Sequence, residues 1–473
     1  MVTLSGAQSG GWLSEASVQR LRFGLFASLI LVCFFAGGGA RDDIASLIVL
    51  RPAAIVLVTI MLVLPAPVDW KPVRIPLLIS LLFCALMAAQ LIPLSPETWQ
   101  ALPGRALFAE AVTLSGEPQP WRPLSVSPDL TLNALAAMVV PVAALLGFAA
   151  LDGENRRRIL PLLAGAAIVS ALLGFLQLAT GPDGGLYFYR ITNDDSAVGL
   201  FSNRNHNAAM LAMGFPMLAL WAVSGPEKVR LKGTRTIIAA VGTALLVSAV
   251  VATRSRAGLG FGAAGAAIGW IIFAQQARRA GEIRAGVWKA SLFGLIAIGV
   301  LLAALTFLQN ASSLDRLLGN EAGSDLRARS FSPLLALTRE SLPWGTGFGT
   351  FDPVWRIHEP MGLLDPQYLN HAHNDLLELA ITGGIPALVL LASALLWLAF
   401  AAWRVLRPWS TGDQRLLFGR LGLTLLGIML LWSLVDYPLR TPSIALVAAI
   451  AAGWLGHAAH RRSRPKAPPA EAE

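Results

Sequence analysis

The densest grouping of chemically capable residues runs from Asn370 to Glu378, Asn-His-Ala-His-Asn-Asp-Leu-Leu-Glu. An imidazole is the natural general base near neutral pH. His371 and His373 stand just ahead of a long apolar run. Asn374 or Asp375 suits the cap of a helix beginning there, and Glu378 falls near its first turn, where a carboxylate is favoured. On that geometry His373 and Glu378 would meet only imperfectly. His371-x-His373-x-Asp375 also has the spacing of a metal site. The further ligands such a site needs are not evident, so no metal and no cofactor are expected. A purely structural role for His373 is the plainer alternative.

Three arginines stand at comparable places. Arg204 lies in Phe201-Ser-Asn-Arg-Asn-His-Asn207, where a polar segment enters an apolar run. Arg254 and Arg256 lie in Thr253-Arg-Ser-Arg-Ala-Gly258, between two apolar runs and too short a link to leave the membrane surface. Guanidinium is planar, always charged and bidentate to phosphate. Such a charge at the mouth of an apolar bundle is costly unless paired, and is a functional candidate by default. Snorkelling toward lipid headgroups is the alternative. Residues two apart face different ways on a helix, so one of Arg254 and Arg256 is expected to point inward.

The elements that position these residues must cross a membrane. The chain has 473 residues, 55% apolar and 14% charged, with a mean hydropathy of +0.61. Soluble domains carry roughly 25% charge, which excludes a string of soluble domains. Twelve apolar runs approach the ~20 residues that a bilayer-spanning helix needs: 22–39, 44–64, 75–94, 131–151, 159–180, 205–224, 236–253, 257–275, 290–309, 375–403, 416–436 and 441–459. Arg51-Pro52 interrupts the second. Gly38-Gly39-Ala40 resembles a signal-peptide cleavage site, but a retained helix is expected. The predicted fold is therefore an all-α, polytopic bundle of about 12 helices, one transmembrane domain over 1–460, with a disordered tail at 461–473. Cys33 and Cys84 both lie in apolar runs, so there is no disulfide framework.

The net charge of +9 reads as topology rather than as a nucleic-acid surface. An even number of spans puts both termini on one side. The loops on that side hold 23 of the 37 basic residues, including all five lysines, and the opposite side holds 13, every one arginine. This is the positive-inside pattern, and it predicts cytoplasmic termini. The all-arginine outer side has a bland explanation too, because 32 of the 37 basic residues are arginine anyway. Three long loops, 95–130, 181–204 and 310–374, fall on the outer side, and loops of that length are usually functional or disordered. The aromatic residues of the last, among them Trp344, Phe348 and Trp355, argue against disorder. Parts of it, such as 327–342, are expected as amphipathic helices on the membrane. Gly260-Phe-Gly262-Ala-Ala-Gly265 matches a dinucleotide-binding spacing, but no strand precedes it, and close helix packing explains it better. Gly345-Thr-Gly347-Phe-Gly349 reads as a turn.

Three features together resemble a known group. They are His371-x-His373-Asn374-x-x-Leu377-Glu378 with Gly383-Gly384 after it, the upstream Pro343-Trp-Gly-Thr-Gly-Phe-Gly-Thr-Phe351, and Arg204 with Ser255-Arg256-Ala257-Gly258. Over about 195–400 the chain resembles the bacterial O-antigen ligase and O-antigen polymerase superfamily. The resemblance implies a GT-C-like, multi-pass glycosyltransferase of the bacterial inner membrane with a periplasmic active site, metal-independent and inverting. The donor would be a glycan on undecaprenyl diphosphate, and the acceptor lipid A–core or another carrier-linked glycan. Membrane lipids and other polysaccharide-assembly proteins would be its partners, and nucleic acid would not. His373 matches the family's catalytic histidine, and Arg204 and Arg256 match its diphosphate-binding arginines. Arg254, Arg327, Arg329, His371, Asn374 and Glu378 are further candidates for substrate binding.

Two other classes compete. A transporter or lipid-glycan flippase would carry ionisable residues or broken helices near the midplane, and usually internal repeats. Runs 159–180, 205–224, 236–253 and 290–309 contain no Asp, Glu, Lys or Arg, and polar residues gather at the outer mouth instead. A non-catalytic partner in a polysaccharide machine is the third class.

Overall fold

Lipid offers the backbone no hydrogen-bond partners, and a helix satisfies its own. Each apolar run that can be followed is helical. The computed structural model describes residues 14–225, 233–283, 326–364, 369–407 and 413–460; the run at 290–309 and the tail 461–473 lie outside the described residues. The helices are α1 (Glu15–Ala36), α2 (Leu47–Val63), α3 (Arg74–Ala89), α4 (Pro96–Gln100), α5 (Ala106–Leu114), α6 (Pro128–Ala137), α7 (Val139–Ala150) and α8 (Gly153–Thr180). They continue with α9 (Arg204–Val223), α10 (Thr234–Ala252), α11 (Arg256–Arg279), α12 (Leu326–Ser341), α13 (Phe351–His358), α14 (Asp375–Leu406), α15 (Gln414–Trp432) and α16 (Pro442–Ala459). Among the described residues, nine spans are long and apolar enough to cross a membrane, α6 and α7 counting as one. The shorter apolar helices α2 and α3 stand at the runs 44–64 and 75–94. The architecture is the all-α polytopic bundle expected. Among the described residues the one strand pairing is a two-residue ladder, Pro93–Leu94 against Arg122–Pro123.

Helix α9 is the axis of the core, buried over most of its length and packed by α8, α10, α11 and α15. Its closest partner is α11, and glycine explains why. A Cβ on Gly269 would stand 3.0 Å from the Phe215 carbonyl oxygen of α9, so the helices meet backbone to backbone. Of the Gly260–Gly265 motif, which lies within α11, Gly265 serves this packing against Ala212 of α9, while Gly262 packs against Val250 of α10. At one end of the bundle, buried Arg22 donates to the carbonyls of Met61, Leu64, Ala66, Pro67 and Ala150, tying α1 to the ends of α2 and α7.

Helix α14 is broken at Gly384, whose φ of 63° and ψ of −159° suit glycine alone. The break frees backbone groups that lipid cannot satisfy, and the 343–349 segment supplies partners. Ile385 N donates to Pro343 O at 2.8 Å, Thr346 N to Ile381 O at 2.9 Å and Gly347 N to Thr382 O at 2.9 Å. Gln90 at the end of α3 bridges both pieces, donating to Thr382 O at 3.1 Å and accepting from Phe348 N at 2.9 Å. Buried Arg105 reaches Leu124 O at 2.7 Å and Gly345 O at 3.2 Å. Burial pushes its pKa down to about 10, which leaves it cationic at neutral pH. The Gly345–Gly349 turn is thus a plug in a broken helix, and it holds the segment that leads to the histidines.

Candidate functional site at the bundle rim

At the opposite end from Arg22, the N-termini of α9, α11 and α14 meet the α1–α2 and α15–α16 connections. His373 precedes α14 and has a φ of 49°, a left-handed conformation uncommon for a residue with a Cβ. Asn374 accepts from Leu376 N and Leu377 N, both at 3.1 Å, and so caps α14. The turn sends the two histidines to different carboxylates. His373 Nδ1 lies 3.0 Å from Asp436 Oδ1, and His371 Nδ1 lies 2.9 Å from Glu378 Oε1. A carboxylate in this setting accepts, so each Nδ1 carries a proton, and in the neutral ring that leaves Nε2 as the acceptor.

Asp436 is buried within the α15–α16 connection and is itself held on several sides. Its Oδ2 accepts from Asn205 Nδ2 at 2.7 Å, and its Oδ1 accepts from Tyr437 N at 3.1 Å. Ser255 Oγ donates to Asn205 Oδ1 at 2.8 Å. A chain of hydrogen bonds therefore runs from the start of α11, through the first turn of α9, to the imidazole of His373. The Tyr437 ring lies among three histidines, its centroid 4.2 Å from His371, 4.9 Å from His373 and 5.2 Å from His206.

A second layer lies behind the first. Glu378 is wholly buried, accepting from His371, from Ala372 N at 3.0 Å and from Arg440 at 3.1 Å. Arg440 also meets Asp375 at 3.3 Å. Burial works against the Arg440 charge, but the two carboxylates outweigh it and its pKa is raised. His371, His373 and Asp375, aligned in sequence like metal ligands, take three separate partners: Glu378, Asp436 and Arg440.

A cavity of about 490 Å3 opens in front of His373, lined by Arg41, Asn193, Arg204, Asn205 and His206 among others. It brings together two of the residues singled out in the sequence, His373 and Arg204. Arg204 NH1 makes a 3.4 Å hydrogen bond to Ser196 Oγ. Arg256 opens α11 at an exposed position directly after Ser255 and does not line this cavity. Arg254 is exposed, with a φ of 54°, and pairs with Asp195 at 3.7 Å. Arg329 donates to the Gly362 carbonyl on the α12 side. Arg327 belongs to α12, and its side chain lies outside the described ones. Glu378 and Asn374 serve His371 and the helix cap respectively.

Sequence reasoning did not find Asp436, Asn205, Tyr437, Arg440 or Arg41. Asp436 closes the apolar run 416–436, and only Tyr437-Pro-Leu-Arg440 separates it from the next apolar run. Two opposite charges in so short a link were the available signal.

The fold and this rim define a multi-pass helical membrane protein with a histidine–carboxylate pair and an arginine at one membrane face. Residues 241–392, about a third of the chain, match the family model described as O-Antigen ligase. The match supports placing the chain in the O-antigen ligase/polymerase superfamily, and with it a ligase- or polymerase-type role in polysaccharide biosynthesis. The matched region holds Arg254, Arg256, His371, His373 and Glu378, while Arg204, Asp436 and Arg440 lie outside it. No curated protein matches the chain.

Proposed function

We propose that this chain transfers a glycan from an undecaprenyl-diphosphate carrier to an acceptor hydroxyl, at the periplasmic face of a bacterial inner membrane, with both termini in the cytoplasm. The observation that carries the reading is His373 held on buried Asp436 in the same cavity as Arg204.

The chemistry follows from these positions. Asp436 fixes the tautomer and ring orientation of His373, leaving Nε2 as the acceptor. The acceptor hydroxyl attacks the anomeric carbon of the donor. Its O–H bond breaks toward His373 Nε2 as the new C–O bond forms and the bond from the anomeric carbon to the diphosphate oxygen breaks. A single displacement of this kind inverts the anomeric centre. The imidazolium is stabilised by Asp436, and general-base help of this type is worth about 10²–10⁴-fold. The departing diphosphate gathers negative charge. Arg204 meets it within the cavity, and Arg256, beside the Asn205–Ser255 hydrogen bond, meets the carrier as it arrives from the membrane. Three helix N-termini, those of α9, α11 and α14, add partial positive charge to the same rim. Guanidinium groups gathered at this rim suit the task without a divalent ion.

Ligation to lipid A–core is the reading preferred. Deletion of the gene followed by a gel of surface glycans tests it. Loss of all lipopolysaccharide-linked glycan, with carrier-linked polymer accumulating, is the expected result. Lipopolysaccharide capped with a single repeat unit would mean a polymerase, and intact lipopolysaccharide with missing secreted polymer would mean exopolysaccharide synthesis. Normal glycan in His373→Ala cells would refute the histidine's role.

A further inference from the structure

A second cavity, of about 480 Å3, lies on the far side of Asn370 and Arg41, which line both spaces. The alternation of His371 and His373 divides the two: His373 faces the first cavity and His371 the second. Their chemistry differs. The walls of the second come mainly from α2, from α6 with the start of α7, from α16 and from the segment 348–356, and its apolar lining includes Leu47, Met87, Ala137, Met138 and Ala445. These residues sit on apolar helices, so the lining suits a hydrocarbon chain.

The cavity also holds charge, and one charge stands apart. Arg356 is bound to Asp352 at 2.8 Å, Arg440 is neutralised by Glu378 and Asp375, and Arg41 meets Asp43 at 3.0 Å. Exposed Asp42 also lines the cavity. Arg51 has no carboxylate partner among the described residues. It lies inside apolar α2, ahead of Pro52. Its NH1 donates to the neutral Asn133 side chain at 2.6 Å, and its Nε is buried without a hydrogen-bond partner. An arginine placed inside an apolar helix and matched to an amide rather than a carboxylate keeps its full charge for an anion.

We propose that this second cavity binds the acceptor, a lipid-anchored, phosphorylated glycan. Its hydrocarbon chain lies along Met87, Met138 and Ala445, its phosphate meets Arg51, and its sugar end passes the Asn370–Arg41 seam toward His373. The inference rests on the transferase reading above, and adds a separate entry for the second substrate. Both acylated lipid A and an undecaprenyl-linked glycan have this chemistry.

The test uses the full-length His373→Ala protein in lipid nanodiscs, so that occupancy is measured without turnover. Diazirine-bearing lipid A and diazirine-bearing undecaprenyl diphosphate are photo-crosslinked in turn, and the labelled peptides are mapped by mass spectrometry. Label on α2 or α6 that falls at least tenfold on adding Arg51→Gln, or Ala137→Trp to fill the space, supports the proposal. If the lipid A probe gives that result the acceptor is of the lipopolysaccharide type, and if the undecaprenyl probe gives it while also labelling the α9 side of the first cavity the acceptor is carrier-linked; undecaprenyl label on α2 or α6 with none at the first cavity would place the donor there and overturn the proposal. Label absent from α2 and α6, label indifferent to both substitutions, or equal competition by phosphatidylglycerol overturns it. Mapping on the His373→Ala protein alone decides the matter even where a further substitution fails to fold. Glycan transfer that persists in the His373→Ala protein would instead sink the transferase mechanism.

Discussion

Replacing Asp436 by Asn separates the orienting carboxylate from everything else in the rim. The amide has nearly the same shape, and Asn205 still has a polar neighbour, so the fold is expected to hold. What changes is the charge 3.0 Å from His373 Nδ1, at a residue only 2% exposed. Opposite unit charges at that separation attract by about 5–6 kcal/mol in an effective dielectric of about 20. That sets an upper bound on what Asp436 gives the imidazolium formed during transfer. An amide also presents either a donor or an acceptor to Nδ1, and turned as a donor it traps the tautomer whose Nε2 carries the proton and cannot act as a base. The expected loss in kcat is ~10²–10⁴-fold, equivalent to about 3–5 kcal/mol of barrier, with KM for the carrier-linked donor nearly unchanged. The assay is transfer of a radiolabelled carrier-linked glycan by purified protein, with thermal unfolding measured in parallel. Activity within threefold of the parent, in protein that melts normally, would refute the dyad. A purely structural Asp436 would lower the melting temperature along with the rate.

The remaining predictions follow from the same geometry. Arg204→Ala should cost at least ~10²-fold in transfer, whereas Arg254→Ala, exposed and paired only with Asp195 at 3.7 Å, should cost less than about threefold; surface pairs are worth ~0–1 kcal/mol. Equal losses in a transfer assay would contradict the placement. Arg440→Ala strands the buried Glu378 carboxylate and takes the cation from Asp375, and breaking a buried pair costs ~3–5 kcal/mol; a marked drop in melting temperature in detergent is expected, and none would contradict the network. Gly384→Ala forces a Cβ into the left-handed region against the carbonyl oxygen of Pro343. Strain of that class costs ~1–3 kcal/mol, and it should raise proteolytic sensitivity of the 343–349 segment; unchanged proteolysis would show that the break tolerates a side chain.

The fold was legible because the membrane imposes one rule on the whole chain: a run of apolar residues of bilayer length becomes a helix, and described helices stand at eleven of the twelve runs. The broken helix was harder. Gly383-Gly384-Ile-Pro386 marks a place where a helix is weak, but only the docking of Pro343, Thr346 and Gly347 turns that weakness into a defined break. The histidines were visible as a local motif, whereas their carboxylates divided by distance along the chain. Glu378, seven residues from His371, was in view but assigned an imperfect meeting with His373. Its real partner is His371, because the positive φ of His373 turns the two rings apart.

Asp436 is the instructive omission. It lies 63 residues beyond His373, at the end of a run counted as membrane helix. Local periodicity cannot pair residues across two helices. An energetic argument can narrow the search, because a carboxylate at the end of a membrane helix needs a cation, an imidazole or several donors to remain charged. In the link Asp436–Arg440 the nearby arginine looks like that partner. The structure divides them, giving Arg440 to Glu378 and Asp375 and leaving Asp436 to His373, Asn205 and the Tyr437 amide. The same division is seen at the two cavities. Arg440, compensated by Glu378 and Asp375, lines the second cavity, while a carboxylate facing an imidazole readies the first for proton transfer.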